Sequence, residues 1–181
     1  MKNIASYRMV PLTPERADET VQLVLNCFPE ATEQREYIHD SIHGELHLEQ
    51  YQEFLTDHGF SEFDSQLIIK DNKVIGMTGL YRKEFESYEK DDSPENTRWL
   101  NWLCVKDSER GQGYGRMLFE YSINQAISQK RQALYIWTSE DETEKRANEM
   151  YDKAGATIVK KEQQDGWIEL IKKIALTNSK K

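Results

Sequence analysis

Hydrophobic and polar positions divide the chain into a readable succession of elements. Tyr7 to Thr13 reads as a short strand. Thr13 then suits an N-cap and Pro14 a first helical turn. Val21, Leu23, Val24, Leu25 and Phe28 form the apolar face of that helix, and Pro29 stops it. Residues 30–64 are mostly polar and read as helical, with breaks at Gly44 and Gly59. Gln66 to Lys70 and Val74 to Tyr81 predict a hairpin around Asp71-Asn72-Lys73, with Gly76 and Gly79 weakening its second strand. A charged connection, residues 83–98, carries Pro94.

Beyond it the pattern changes. Trp99 to Val105 is a compact apolar strand, Lys106 to Gly113 a polar loop, and Tyr114 to Arg131 a helix burying Met117, Leu118, Phe119, Tyr121, Ile123, Ala126 and Ile127. Ala133 to Ser139 is a second apolar strand. Strand, helix, strand makes a βαβ unit, so the two strands should be parallel neighbours with a right-handed crossover. A helix from Thr143 to Lys153 closes on Ala154-Gly155. Thr157 to Lys161 and Trp167 to Ile174 predict a final hairpin across Asp165-Gly166. The expected organisation is one domain over residues 1–176, followed by a disordered tail at 177–181.

Charge and cysteine usage narrow the function classes. Lys and Arg number 24 against 32 Asp and Glu, a net charge of −8. Phosphate contacts need clustered cations, so a nucleic-acid partner is not expected. No apolar run approaches the roughly 18 residues that would span a bilayer, so no membrane partner is expected either. Cys27 and Cys104 have neither disulfide-framework nor zinc spacing, which fits a reducing, cytoplasmic setting.

The most informative stretch is Val105 to Arg116. It leaves a strand, opens a helix, and carries Gly111, Gly113 and Gly115 at alternate positions between Arg110 and Arg116. Glycines let backbone N–H groups converge without Cβ interference, and a helix N-terminus adds unpaired donors and partial positive charge. The combination reads as a pyrophosphate cradle. A Rossmann fingerprint starting at Gly111 would need glycine where Arg116 stands, and the Gly-Lys-Ser/Thr of a Walker loop is missing. An ordinary glycine-rich loop with a capped helix is the plain alternative.

Arg110-Gly111-Gln112-Gly113-Tyr114-Gly115 resembles the Arg/Gln-x-x-Gly-x-Gly/Ala signature of the GCN5-related N-acetyltransferase (GNAT) superfamily. Leu100 to Val105 occupies the place of the strand before that signature. Ala147 to Ala156 resembles its later A-x-x-x-Y-x-K-x-G-F segment. The specific part of the resemblance covers residues 99–174. It implies an α/β GNAT fold: a mixed central sheet with splayed parallel strands and helices on both faces. It also implies acetyl-CoA as co-substrate, with pantetheine against the backbone of Leu103, Cys104 and Val105. The diphosphate would lie on Arg110, Gly111, Gln112, Gly113, Tyr114, Gly115 and Arg116. Tyr151 stands where the family commonly has the general acid. Ala156 replaces the family's Phe, and Glu144 stands where Asn is frequent.

Amide formation from a thioester needs a neutral amine, and an amine of pKa about 10.4 is neutral roughly once in 2,500 molecules at pH 7. A base is therefore required. The strand before the loop offers no carboxylate; Glu95 and Glu140 are candidates, a water chain is equally suited, and the base stays unassigned. Tyr151, with a phenol pKa of about 10, stays protonated and can donate to a departing thiolate. The plain alternative is a core tyrosine. Cys104 reads as a small buried residue rather than a nucleophile. His39, His43 and His47 recur every four residues, but Gly44 interrupts them and no metal site is expected.

The acids cluster. From Glu30 to Asp64 there are ten acidic residues against one base, Arg35, and Glu84, Glu86, Glu89, Asp91, Asp92 and Glu95 follow. By the resemblance this region walls the acceptor side, so a cationic small molecule or basic peptide amine is the expected partner. A homodimer is left open. The alternative function is a non-catalytic acyl-CoA sensor with the same fold.

Overall fold

The computed structural model describes residues 6–29, 34–84 and 88–176. In chain order the elements are β1 (Tyr7–Pro11), α1 (Pro14–Cys27), α2 (Arg35–Leu46), α3 (Gln52–His58), β2 (Phe60–Lys70), β3 (Lys73–Lys83) and β4 (Thr97–Val105). They are followed by α4 (Tyr114–Ser128), β5 (Ala133–Ser139), α5 (Lys145–Lys153), β6 (Thr157–Gln164) and β7 (Trp167–Ala175). The strands form one sheet in the order β1-β2-β3-β4-β5-β7-β6. β4 and β5 are parallel and the other neighbours antiparallel. A crossover helix is what parallel neighbours require, and α4 supplies it.

Alternation on the central strands assigns the two faces. Met77 and Cys104 are register partners and pack with Ala17, Val21, Val24, Ile38 and Ile42, so α1 and α2 cover that face. On the other face Ile68, Ile75 and Val105 pack with Tyr114 and Leu118 of α4. Leu134 and Ile136 of β5 meet Phe119 and the α5 residue Tyr151 there as well.

Several boundaries differ from the sequence reading. α2 runs unbroken through Gly44, which is buried; a Cβ there would stand 3.1 Å from Leu55 Cδ2. The glycine admits α3 at close range rather than ending a helix. Gly59 does end α3, at φ 66°. β2 begins at Phe60, so residues 60–64 are strand, not helix; a register shift between Ser61 and Asp64, with Glu62 at φ 52°, breaks its alternation. The β2–β3 turn narrows to Asp71-Asn72, both at positive φ as a tight hairpin turn demands. Glu30 and Glu33, Glu86 and the tail at 177–181 lie outside the described residues.

Candidate active site

β4 and β5 pair only at Thr97↔Ala133, Arg98↔Leu134 and Trp99↔Tyr135. β5 then continues to Ser139 along β7, while β4 turns away from it. The cause lies in β4. Met77 faces Cys104 but Gly79 faces Asn101, so β4 carries one extra residue between them. Trp102 absorbs this bulge at φ 27°, a left-handed conformation costly for a bulky residue. Its ring is held from outside the sheet: Nε1 donates to Ser41 Oγ of α2 at 3.1 Å, and the ring sits 5.8 Å from Phe28 and 6.4 Å from Tyr37. The residues read as flanking pantetheine, Leu103, Cys104 and Val105, follow the bulge on the diverging arm of β4.

At the end of that arm the loop is pinned from within. Lys106 N–H donates to Ile75 O at 2.9 Å. Arg110 Nε donates to Val105 O at 3.0 Å, and its guanidinium pairs with Asp107 at 2.8 Å. Arg110 thus shapes the loop, and the Val105 carbonyl is already engaged. Gln112 donates to Glu109, which pairs with Lys70. Gly111 and Gly113 have φ of 78° and 89°, and a Cβ on either would meet nothing within 4 Å, so both face open space. Gly113 caps α4 without a side chain, leaving the first N–H groups of that helix as uncapped donors. Arg116 is largely exposed and pairs with Glu120 at 2.8 Å; Tyr114 is buried against the Tyr7 ring.

Tyr151 sits on the same face as α4. It is 5% exposed, its ring is 5.1 Å from that of Phe119, and it packs with Leu100 of β4 and Ile136 of β5. It therefore lies among side chains from both diverging strands. Burial raises its hydroxyl above the usual tyrosine value, and Glu144 adds to this. Glu144 accepts hydrogen bonds from Thr138 Oγ1 and, at 3.0 Å, from Ser139 N–H, so it clasps the end of β5 where the resemblance put an Asn. Asn148 Nδ2 donates to Ser139 O at 2.7 Å.

The opposite face, under α2, holds groups that sequence reasoning missed. Ser65 of β2, Gly79 of β3 and Asn101 of β4 form one row of register partners. Glu45 of α2 reaches down to this row, and its Oε1 accepts from Ser65 N–H at 3.0 Å. Desolvation pushes its carboxyl up to about 7; the Asp64 charge adds to this, while the Ser65 hydroxyl and amide pull partly back. Beside the row stands a wall of rings. Phe60 and Tyr81 are 4.9 Å apart, Tyr81 and Trp99 6.4 Å, and Trp99 and Tyr135 5.2 Å. The ammonium of Lys83 lies 5.0 Å from the Trp99 ring centroid and 5.9 Å from that of Phe60. Nothing in the polar run from residue 30 to 64 marks Glu45 among ten acids; its burial follows from α2 continuing past Gly44.

The other candidates are placed elsewhere. Glu95 is exposed, pairs with Arg82 at 2.8 Å, and is held below the usual carboxylate range by its own backbone amide and the Ser93 hydroxyl. Glu140 pairs with Lys161 at 2.6 Å. Cys104 is buried, and its hydrogen bond with Cys27, with burial, pushes the thiol up, as suits a packed residue. His39 and His43 stack at 4.2 Å, and His43 meets Asp18 at 3.1 Å. Among the described residues no group of three or more His, Cys, Asp or Glu is placed to hold a metal ion. No helix among them is long and apolar enough to cross a membrane.

β4 and β5 thus form a forked pair of parallel strands with the glycine loop at the tip of one. The profile of the Acetyltransferase (GNAT) family matches residues 19–156, and the chain belongs to that family. Its cofactor is acetyl-CoA. Among solved structures the chain is similar to a GNAT-family protein of Desulfovibrio desulfuricans, with TM-score 0.73 and 14% identity over 95% of this chain and 100% of that one. It is also similar to yncA from Salmonella typhimurium, solved with its cofactor acetyl-CoA, with TM-score 0.64 and 11% identity over 97% of each chain. Aminoglycoside 6'-acetyltransferase type Ii aligns with TM-score 0.62 and 18% identity over 94% of this chain and 97% of its own. No curated protein matches the sequence.

Proposed function

We propose that this acetyltransferase acts on nitrogen, moving acetyl from acetyl-CoA to the primary amine of a cationic small molecule or basic peptide. The observation that carries the reading is the fork itself, with Tyr151 among side chains from both arms and the glycine loop at the tip of one.

The residues present fit the cofactor. Gly111 and Gly113 face open space, and the uncapped α4 N-terminus suits a diphosphate. In this reading the backbone from Arg110 to Arg116 holds the diphosphate, and the Leu103, Cys104 and Val105 backbone lies beside pantetheine. Bound acetyl-CoA supplies the thioester carbonyl that an amine attacks. Tyr151 holds a proton at its hydroxyl, kept there by burial, for the departing sulfur. The Lys83 ammonium already lies over the rings of Phe60 and Trp99, so the support for a cationic acceptor is the excess of acidic residues on α2 and α3. A relative that is an aminoglycoside acetyltransferase supports a cationic acceptor.

The test is release of free CoA with a panel of polyamines, aminoglycosides and basic peptides. Tyr151→Phe should lower turnover on the order of a hundredfold with acetyl-CoA affinity nearly intact. Turnover within twofold of the parent would leave Tyr151 a packing residue. Acetyl-CoA binding without CoA release across the panel would favour the sensor reading.

A further inference from the structure

Cys27 and Cys104 are distant in sequence, yet the fold brings their thiols together. Cys27 is the last residue of α1, and Cys104 lies on β4, on the face that α1 covers. Cys104 is 6% exposed and belongs to the core beneath α1; Cys27 is half-buried and packs against that core. The two thiols hydrogen-bond to each other, and both are free. Cys27 Sγ also donates to Val105 O at 3.5 Å, the carbonyl that Arg110 Nε engages at 3.0 Å. One partly exposed sulfur, one enclosed sulfur and a guanidinium thus meet at the end of β4.

The thiolate is the reactive form of cysteine, and a hydrogen-bond donor or cation beside a thiol favours it. Here the Cys104 S–H, and after it the Arg110 guanidinium, hold Cys27 below the ordinary thiol value, while burial and the Asp107 charge oppose them. Cys104 moves the other way. Its bond to Cys27 and its burial push it up, so it keeps its proton. The pair is divided into a thiol that attacks and a thiol that waits. Cysteines that react with oxidants are of this kind: accessible, low in pKa and next to a second cysteine. The backbone suits closure as well. Phe28 has already left the helix, at φ −127°, so Cys27 sits at an end where a small shift opens no interior turn.

We propose that Cys27 is a redox modification site, oxidised by a hydroperoxide and resolved by Cys104 into a disulfide that fastens α1 to the arm of β4. In the first step the Cys27 sulfur attacks one peroxide oxygen. The S–O bond forms and the O–O bond breaks. The leaving hydroxide takes up the proton released by the thiol, giving water. Sulfur loses two electrons and the peroxide gains them. In the second step the Cys104 sulfur attacks the sulfur of the Cys27 sulfenic acid. The S–S bond forms, the S–O bond breaks, and the Cys104 proton leaves with the hydroxide as a second water. A small dithiol restores the pair by exchange. The site does not depend on which acceptor the enzyme uses, so it does not rest on the N-acetyltransferase reading.

Mass spectrometry tests the assignment. The reduced protein, treated with hydrogen peroxide and then catalase, should lose two hydrogens and yield a peptide pair joined through Cys27 and Cys104. Dithiothreitol should reverse both changes. Cys104→Ala should stop at the sulfenic acid, one added oxygen that dimedone captures. Cys27→Ser should leave Cys104 unoxidised under the same treatment. Two free thiols in the parent after peroxide, a disulfide that links two chains, or oxidation of Cys104 at the parent's rate in Cys27→Ser would each overturn the proposal. The unaltered protein supplies a further check that needs no variant to fold. Alkylation of Cys27 by iodoacetamide, followed against pH, should have its midpoint below the ordinary thiol value of about 8.5; a midpoint at or above that value rejects Cys27 as the attacking thiol.

Discussion

A single buried carboxyl sets a stability signature independent of any substrate. Glu45 titrates near 7 in the fold against 4.5 for the ordinary group. The unfolded chain therefore gives up this proton first. The contribution of the group is fully present below pH 4.5 and is lost as pH rises through 7, a difference of about 3 kcal/mol. Glu45→Gln removes the buried charge at nearly constant shape. It should melt on the order of 5–10 °C above the parent at pH 8, with the gap closing toward pH 4.5. Paired thermal melts across that range check this, and a gap that ignores pH would contradict it. The same residue shows where sequence reading stops. Its spacing from other acids is unremarkable, and its chemistry comes only from what α2 presses it against.

At the level of elements, the loop before α4 gives the sharpest expectation. Gly113 holds φ at 89°, where a β-branched residue is strained, and faces the space assigned to the diphosphate. Gly113→Val should weaken acetyl-CoA binding more than tenfold, about 1.4 kcal/mol or more; calorimetry showing unchanged affinity in a folded variant would reject the cradle. This part of the molecule was legible because its signals are local. Apolar runs bounded by glycines mark β4, the loop, α4 and β5, and their ends fall within three residues of the expected ones. The parallel pairing followed from the crossover alone. The segment before β3 was less legible for equally physical reasons. The bulge at Glu62 breaks the alternation that would announce β2, and Gly44 serves close packing against Leu55 rather than a helix end. The Trp102 bulge, which opens the fork, leaves no mark in composition: a bulky residue rarely adopts the positive φ that it holds.

For the molecule as a whole, ion pairing redistributes the acidic charge that suggested a cationic acceptor. Glu62 is shared by Arg82, Arg98 and Arg131; Glu84 and Glu95 also meet Arg82; Glu89 and Asp92 meet Lys173. The acids of the loop before β4 are thus partly neutralised, and steering falls more on the α2–α3 side. A multivalent amine should still show an apparent KM that rises from low salt to 0.15 M, where the Debye length is about 8 Å. A monovalent amine should show less. A KM indifferent to salt would reject the cationic acceptor while leaving acetyl transfer standing.

The sheet order also has a temporal side. β7, the last of the described strands in sequence, lies between β5 and β6 and pairs with β5 from Ala133↔Ala175 to Ser139↔Glu169. Until the ribosome has released residues 167–175, β5 has no neighbour on that side and β6 no neighbour at all. The arm of the fork that faces β4 therefore lacks that neighbour until those residues emerge, whatever the first hundred residues have built. Non-local pairing of this kind is slow to form and exposes strand edges while it waits. The half of the fold proposed to bind the cofactor thus waits for residues 167–175 before its sheet can close.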